Sequence, residues 1–292
     1  MWRAMPSRTV REYYDKLGEE EWKRLEPHPY PPLELLTHMR FLRMHLPRGG
    51  TALDAGGGPG RYAIFLAKRG FRVVLLDLSR VQLDIARRKA TRARVPGRAI
   101  EYVEGALPDL SRFPDGRFDA VLCLGPLSHL IDPRERRRAA GELVRVAKEG
   151  APLFISVINR YGVLRTVLQK RHLREELVDA AHREMIERGV HRAHPGRGPG
   201  RFTDAYFFTP HELRAMFENA GVEVLTMAAC EGLAAHLHDP LSELAEDRRK
   251  WNAWMRIHWR TCTEPSVLGI AEHVLLVGRK RRGVRARRAV ST

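Results

Sequence analysis

The chain has 292 residues and a formal charge of +16, with 51 lysines and arginines against 35 aspartates and glutamates. Apolar residues make up 43%, enough for a full core, and the length suits one elaborated α/β domain or a domain with a cap. No apolar run approaches the about 18–20 residues that cross a bilayer, which excludes a membrane-spanning helix. Met1-Trp2-Arg3-Ala4-Met5-Pro6 lacks the apolar stretch of a signal peptide. Cys123, Cys230 and Cys262 have no paired spacing and read as buried thiols of a cytoplasmic protein.

In chain order, residues from about Arg8 to Leu46 predict two helices, and residues 1–48 read as an N-terminal helical cap. Ser7 is placed to cap the first, with Tyr13, Tyr14, Leu17, Trp22 and Leu25 as its apolar stripe. Pro27 to Pro32 breaks it, and Leu33, Leu36, Met39, Phe41 and Leu42 carry the second. Thr51 to Leu53 is a short strand that runs into Asp54-Ala55-Gly56-Gly57-Gly58-Pro59-Gly60. A helix with Ile64, Phe65 and Ala67 follows, and Gly70 sits at its C-terminal end. Strand, glycine turn and helix form the first unit of a doubly wound nucleotide-binding sheet. Phe71 to Asp77 is a buried strand ending in an acid, and Ser79 caps the next helix. Ile100 to Ala106 is strand three. Phe118 to Gly125 is strand four, with Pro126-Leu127-Ser128-His129 at its carboxyl end, where ligands of open α/β sheets bind. Asp132-Pro133 opens a helix and Pro152 to Asn159 is strand five. Residues 49–159 are therefore a Rossmann-like core.

The alternation then breaks. Residues 160–205 hold a charged helical stretch (Leu164 to Arg188) and a link, His194-Pro195-Gly196-Arg197-Gly198-Pro199-Gly200. The core resumes over 206–280: Thr209-Pro210 opens a helix, Val222 to Ala229 is strand six and His273 to Gly278 is the last strand. A second helical insert at about 231–271 carries Trp251, Trp254 and Trp259, which either line an acceptor pocket or, the favoured reading, anchor the insert. Both inserts read as a lid. The runs His236-Leu237-His238-Asp239 and His191/His194 have neither zinc-finger nor H-E-x-x-H spacing, so no metal is expected. Residues 281–292 form a basic tail with Arg285, Arg287 and Arg288. It reads as a solvated tail, or as a contact for an anionic partner such as RNA.

The glycines at 56, 58 and 60 do not fit G-x-G-x-x-G, whose third glycine falls on Arg61. With Asp54 two residues ahead they read D-x-G-x-G-x-G, which resembles motif I of the class I S-adenosylmethionine (SAM) methyltransferases. Phe118-Asp119-Ala120-Val121 resembles the F-D-x-V of the family's strand four. The resemblance implies a doubly wound, seven-stranded, mostly parallel sheet with an antiparallel last strand. It implies SAM as cofactor, with Asp54 for the methionine ammonium and Asp77 for the ribose hydroxyls. Gly56, Gly58 and Gly60 let the backbone approach, while Leu78, Ala106, Leu107 and Leu124 border the nucleoside. By the resemblance the N-terminal helices are an extension of the kind that closes over the cofactor, so Tyr13 or Tyr14 either contacts SAM or is a core aromatic. Strand three departs from the family's G-D-A ending: Ala106 follows Gly105, which leaves Asp109 or backbone groups near Ala106 and Leu107 to read the adenine. His129, Tyr206 and Glu231 are the candidate bases or orienting groups. His129 is either a general base or a wall against the cofactor.

Within the family the chain looks closest to the group that includes quinone-biosynthesis methyltransferases, which implies a small-molecule acceptor. Leu124-Gly125-Pro126-Leu127 stands where N-P-P-Y or D-P-P-Y marks many amino-methylating enzymes, which disfavours DNA. The alternatives are an RNA methyltransferase using the basic surface and a SAM-binding module without turnover. The sequence leaves oligomeric state open.

Overall fold

Strands and helices alternate from residue 50 onward. The computed structural model describes residues 8–26, 30, 32–169, 174, 180–193 and 202–283. Ser7, the link His194–Gly200 and the tail beyond Gly283 lie outside the described residues. The strands are β1 (Gly50–Ala55), β2 (Phe71–Asp77), β3 (Ile100–Glu104), β4 (Ala120–Leu124), β5 (Pro152–Ile158), β6 (Val190–His191), β7 (Ala205–Tyr206), β8 (Val222–Ala229) and β9 (His273–Lys280). Seven of them form one sheet in the order β3-β2-β1-β4-β5-β9-β8, and β6 pairs with β7 as a separate ribbon.

Neighbours from β3 across to β5 pair in parallel. β9 is antiparallel to both β5 and β8, so β8 points the same way as β5. The carboxyl ends of β1 to β5 and of β8 therefore share one edge with the amino end of β9. Ile158 pairs with His273, and Ala229 with Val274, along that edge. This is the edge at which doubly wound sheets take ligands.

The strands are apolar on both faces because both faces are covered. Alternate residues go to opposite sides: Leu53, Val74, Leu76, Val121 and Ile155 join one core with Ala139, Leu143, Leu213 and Phe217. Ala52, Val73, Leu75, Leu122 and Phe154 join the other with Phe41, Leu42, Ala63, Leu66 and Leu83. The helices behind those residues are α3 (Leu33–His45), α4 (Arg61–Lys68), α5 (Arg80–Arg92), α6 (Pro133–Val146) and α9 (Pro210–Asn219), with α1, α2, α7 and α8 described below. Their starts follow the sequence cues. Ser79 Oγ accepts from the Gln82 amide at 3.1 Å, Asp132 from the Arg134 amide at 2.7 Å, and Thr209 with Glu212 forms a reciprocal capping box.

Two expectations change. The single first helix is split into α1 (Arg8–Leu17) and α2 (Glu19–Lys23), because Gly18 takes a positive φ of 54° between them. Within the expected stretch 164–188, the described residues form parts of α7 (Arg160–Gln169) and α8 (Ala180–Arg188). The ribbon of β6 and β7 closes this first insert; its strands are too short to leave an alternating pattern. In the second insert, α10 (His238–Glu246) is followed by α11 (Arg248–Thr261), which carries Trp251, Trp254 and Trp259. Trp251 stacks on Tyr30 at 4.5 Å and clusters with Leu33, Ala245 and Met255, so these rings anchor the insert to the N-terminal helices. Cys123, Cys230 and Cys262 are free and buried. Among the described residues no helix is long and apolar enough to cross a membrane.

Candidate active site

A cleft of about 470 Å³ opens along the carboxyl edge of the sheet. One end is built from β1, β2 and the glycine turn. A Cβ on Gly56 would overlap Pro126, and one on Gly57 would overlap the Asp54 carboxylate, so only glycine fits these close approaches. Asp77 at the end of β2 accepts from the Gly58 amide (Oδ2, 2.9 Å) and the Ser79 amide (Oδ1, 2.9 Å). Asp54 is 1% exposed, and its Oδ2 is buried with no hydrogen-bond partner among the described residues. An orphan of this kind costs about 1–3 kcal/mol unless a ligand donates to it. Burial, then the charge of Asp77, pushes the Asp54 carboxyl up to about 7. Burial likewise raises Asp77 to about 6, against the two amides that lower it. Two acids poised this way suit a ligand that brings a cation and hydroxyl donors.

α1 and α2 lie over this end as a lid. Gln82 Nε2 donates to the carbonyls of Tyr14 (2.9 Å) and Gly18 (3.0 Å), and Ser79 Oγ donates to Asp15 (2.5 Å). Arg61, the residue that breaks the dinucleotide pattern, donates to the Trp22 carbonyl at 2.6 Å and lies 3.9 Å over the Trp22 ring. Tyr13, Tyr14 and Phe202 close the roof, with Tyr13 and Phe202 in edge contact at 5.7 Å. His129 Nδ1 faces the Asp204 carbonyl at 2.9 Å. A carbonyl only accepts, so Nδ1 carries the proton and Nε2 accepts from Tyr14 Oη at 2.8 Å. Burial lowers the His129 pKa and raises that of Tyr14 well above the usual tyrosine range, so both stay neutral.

The far end is polar. Arg24 donates to Glu34 at 2.6 Å, and His273 Nδ1 donates to Glu231 Oε1 at 2.8 Å. Tyr62 and Ser156 line the wall, bridged behind by His38 at 2.7 and 3.1 Å. Burial lowers His38 to about 4, so it bridges as neutral imidazole. Burial opposes the charge on Glu34, but Arg24 and His273 outweigh it and hold that carboxyl well below its usual range. Burial also opposes the charge on His273, and Glu34 and Glu231 push it up to about 9.

A family model described as a methyltransferase domain matches residues 52–150. The ubiquinone biosynthesis O-methyltransferase of Chromobacterium violaceum is 31% identical over 223 residues, covering 76% of this chain and 82% of that protein. The chain belongs to the class I SAM-dependent methyltransferases. The Xanthomonas axonopodis pv. citri protein of the same description is 28% identical, over 73% of this chain and 77% of its own. Among solved structures, a SAM-dependent methyltransferase from Methanosarcina mazei aligns with a TM-score of 0.56 at 21% identity, covering 82% of this chain and 97% of that one. Magnesium protoporphyrin IX methyltransferase from Synechocystis aligns with a TM-score of 0.54 at 19% identity, covering 93% and 97%. The methyl donor of the present chain is SAM, and its fold is the seven-stranded class I sheet with one antiparallel strand.

In this methyltransferase the expected residues Tyr13, Asp54, Gly56, Gly58, Asp77, Leu78, Leu124 and His129 all line the cleft. Ala106 and Leu107 line a smaller recess that shares Gly56, Leu78, Pro126 and His129 with it. Asp109 instead accepts from the Ser111 amide at 3.0 Å. Gly60 starts α4 with φ 82° against Ala86, one step back from the cleft wall. Tyr206 stands outside the lining: its hydroxyl accepts from Arg160 at 3.1 Å and its ring lies 3.4 Å from the Arg136 guanidinium. Glu231 also stands behind the wall and reaches the cleft only through His273. His194 of the second histidine run lies outside the described residues. His236 Nε2 donates to the Gly162 carbonyl at 2.8 Å, while Glu34, Glu231 and His273 bring three ligand-type atoms within 4.8 Å. Sequence reasoning missed Arg24, Glu34, Tyr62, Ser156 and His273. Glu34 carried a faint signal, a charge set among Leu33, Leu35 and Leu36.

Proposed function

We propose that this enzyme moves the methyl group of SAM to a hydroxyl oxygen of a small-molecule acceptor. One observation carries the reading: a single roofed cleft of about 470 Å³ has paired acids and glycines at one end and imidazole and hydroxyl groups at the other. That volume lies in the range of about 300–1,000 Å³ typical of small-ligand sites. The relatives named as ubiquinone biosynthesis O-methyltransferases support oxygen as the accepting atom.

Bound SAM supplies an electrophilic methyl group on a sulfonium sulfur. Asp54, through its orphan oxygen, holds the cofactor's ammonium, and Asp77, fixed by two amides, receives the ribose hydroxyls. The backbone of Gly56, Gly58 and the Gly60 turn comes close to the methionine portion. Leu78 and Leu124 wall the nucleoside, and Ala106 and Leu107 border the adenine. Tyr13, Tyr14 and Phe202 keep water out. His129, with both ring nitrogens engaged, orients the acceptor as a fixed wall. Three free, buried cysteines suit a reducing compartment, and we place the reaction in the cytoplasm.

The test is a product survey. Purified enzyme receives SAM and a panel of phenols and hydroxy acids, each paired with its O-blocked analogue, alongside tRNA. The expected result is one added methyl on free hydroxyls only. Methylated tRNA, with binding that falls steeply with salt, would replace this reading with an RNA substrate.

A further inference from the structure

The acceptor end of the cleft contains an acid–base pair assembled from residues 42 apart in sequence. Glu231 follows β8 and His273 opens β9, and the antiparallel pairing of those strands sets them side by side. His273 Nδ1 donates to Glu231 Oε1 at 2.8 Å. Glu231 Oε2 accepts from the amides of Glu272 (3.0 Å) and His273 (2.9 Å), so the carboxylate cannot turn away. The ring lines the cleft, and its Nε2 has no protein partner among the described residues. The other two histidines of the region differ: Tyr14 and Asp204 occupy both nitrogens of His129, and Tyr62 and Ser156 both nitrogens of His38. We infer that His273, oriented by Glu231, is the general base that accepts the acceptor's hydroxyl proton at Nε2.

The inference rests on methyl transfer to oxygen. As the acceptor's O–H proton passes to Nε2, the oxygen's electron pair forms the new O–CH₃ bond, and the old bond pair stays on the departing sulfur as a neutral thioether. The imidazolium is stabilised by Glu231 and afterwards gives its proton to water. A metal in the same cluster is the weaker account. Arg24 already neutralises Glu34 at 2.6 Å, and below about pH 9 the protonated His273 offsets Glu231, so the charges balance without a divalent cation.

The groups facing His273 set its pH range. Glu231 reaches it from the end of β8, Glu34 (3.9 Å) and neutral His38 from α3, and Arg24 from the turn after α2. The neighbouring Glu272 carboxylate turns instead to the His236 amide at 3.0 Å. With the imidazole raised to about 9, its basicity comes close to that of a phenol, about 10, which suits direct proton transfer.

Two readouts test this. In the full-length protein without acceptor, ring-nitrogen NMR should show His273 titrating near 9, and Glu231→Gln should move that midpoint down toward the ordinary histidine range. With saturating SAM and a hydroxyl acceptor, kcat/KM should rise with pH to the same midpoint. His273→Gln should lower it about 100-fold or more while SAM affinity by calorimetry stays unchanged. A His273 midpoint in the ordinary range, an unaltered pH profile in both variants, or activity lost to a chelator and restored by Mg²⁺ would overturn the assignment. Should the wild type methylate no hydroxyl at all, it is the oxygen acceptor that fails, and the NMR titration still decides whether the pair is built as described.

Discussion

SAM affinity should depend strongly on pH through Asp54. In the free protein its carboxyl is raised to about 7 by burial and by Asp77, and its Oδ2 has no partner. A cofactor that brings an ammonium group to that oxygen needs the ionised form. At pH 5, two units below 7, the protonated form outweighs the ionised one about 100-fold, so binding should be about 100-fold weaker than at pH 8, or ~2.7 kcal/mol. Asp77, raised to about 6, adds in the same direction. Titration calorimetry at pH 5 to 8, in buffers of different ionisation enthalpy, reads both the affinity and the released proton. S-adenosylhomocysteine keeps the ammonium and should give the same slope, while Asp54→Asn should flatten it and bind weakly throughout. Stability of the free protein should run the opposite way. A carboxyl raised on folding contributes stability below its unfolded value of about 4 and loses it as pH rises through about 7, so the melting temperature should fall from pH 5 to 8 and recover with cofactor. An affinity flat within about threefold across that range, with no buffer-dependent heat, would refute the role given to Asp54.

The other expectations are simpler. Asp77→Ala should weaken SAM binding about tenfold or more, ~1.4 kcal/mol, by calorimetry; unchanged affinity would remove the ribose assignment. Arg61→Ala deletes both the bond to the Trp22 carbonyl and the cation over its ring, so hydrogen exchange in α1 and α2 should accelerate and SAM should bind more weakly; unaltered exchange would mean the lid is held elsewhere. Tyr14→Phe leaves the buried Nε2 of His129 without a donor and should cost about 1–3 kcal/mol in urea denaturation, against nearly nothing if the hydroxyl were replaced by water. Removing residues 284–292, which follow the Gly283 amide that donates to Glu149 at 3.1 Å, should leave small-molecule turnover within about twofold; a large, salt-dependent loss would point to a polyanionic partner.

The end of the cleft around the glycine turn was legible in the sequence because it is local. Asp54, the glycines and Asp77 lie within one strand–turn–helix–strand unit, and their place on the cleft follows from the ends of consecutive parallel strands. The acceptor half is not local. Glu231 was identified at the end of its strand, but its partner is visible only once β9 is known to slot between β5 and β8. Arg61 showed as a departure from a glycine pattern, yet its contact with Trp22, 39 residues earlier, depends on how the lid settles. Tyr206 looked well placed after the first insert, but its hydroxyl is taken by Arg160 and its ring by Arg136. The break at Gly18 escaped notice because the apolar stripe runs on through both halves of the helix.

The late insertion of β9 has a consequence for how the enzyme matures. A ribosome that has released residues up to about 160 has already supplied the glycine turn with Asp54 and Asp77, whereas the opposite wall of the cleft waits for a strand beginning at residue 273. A nascent chain, or one clipped before residue 273, would thus carry the Asp54 and Asp77 turn while lacking the His273 imidazole.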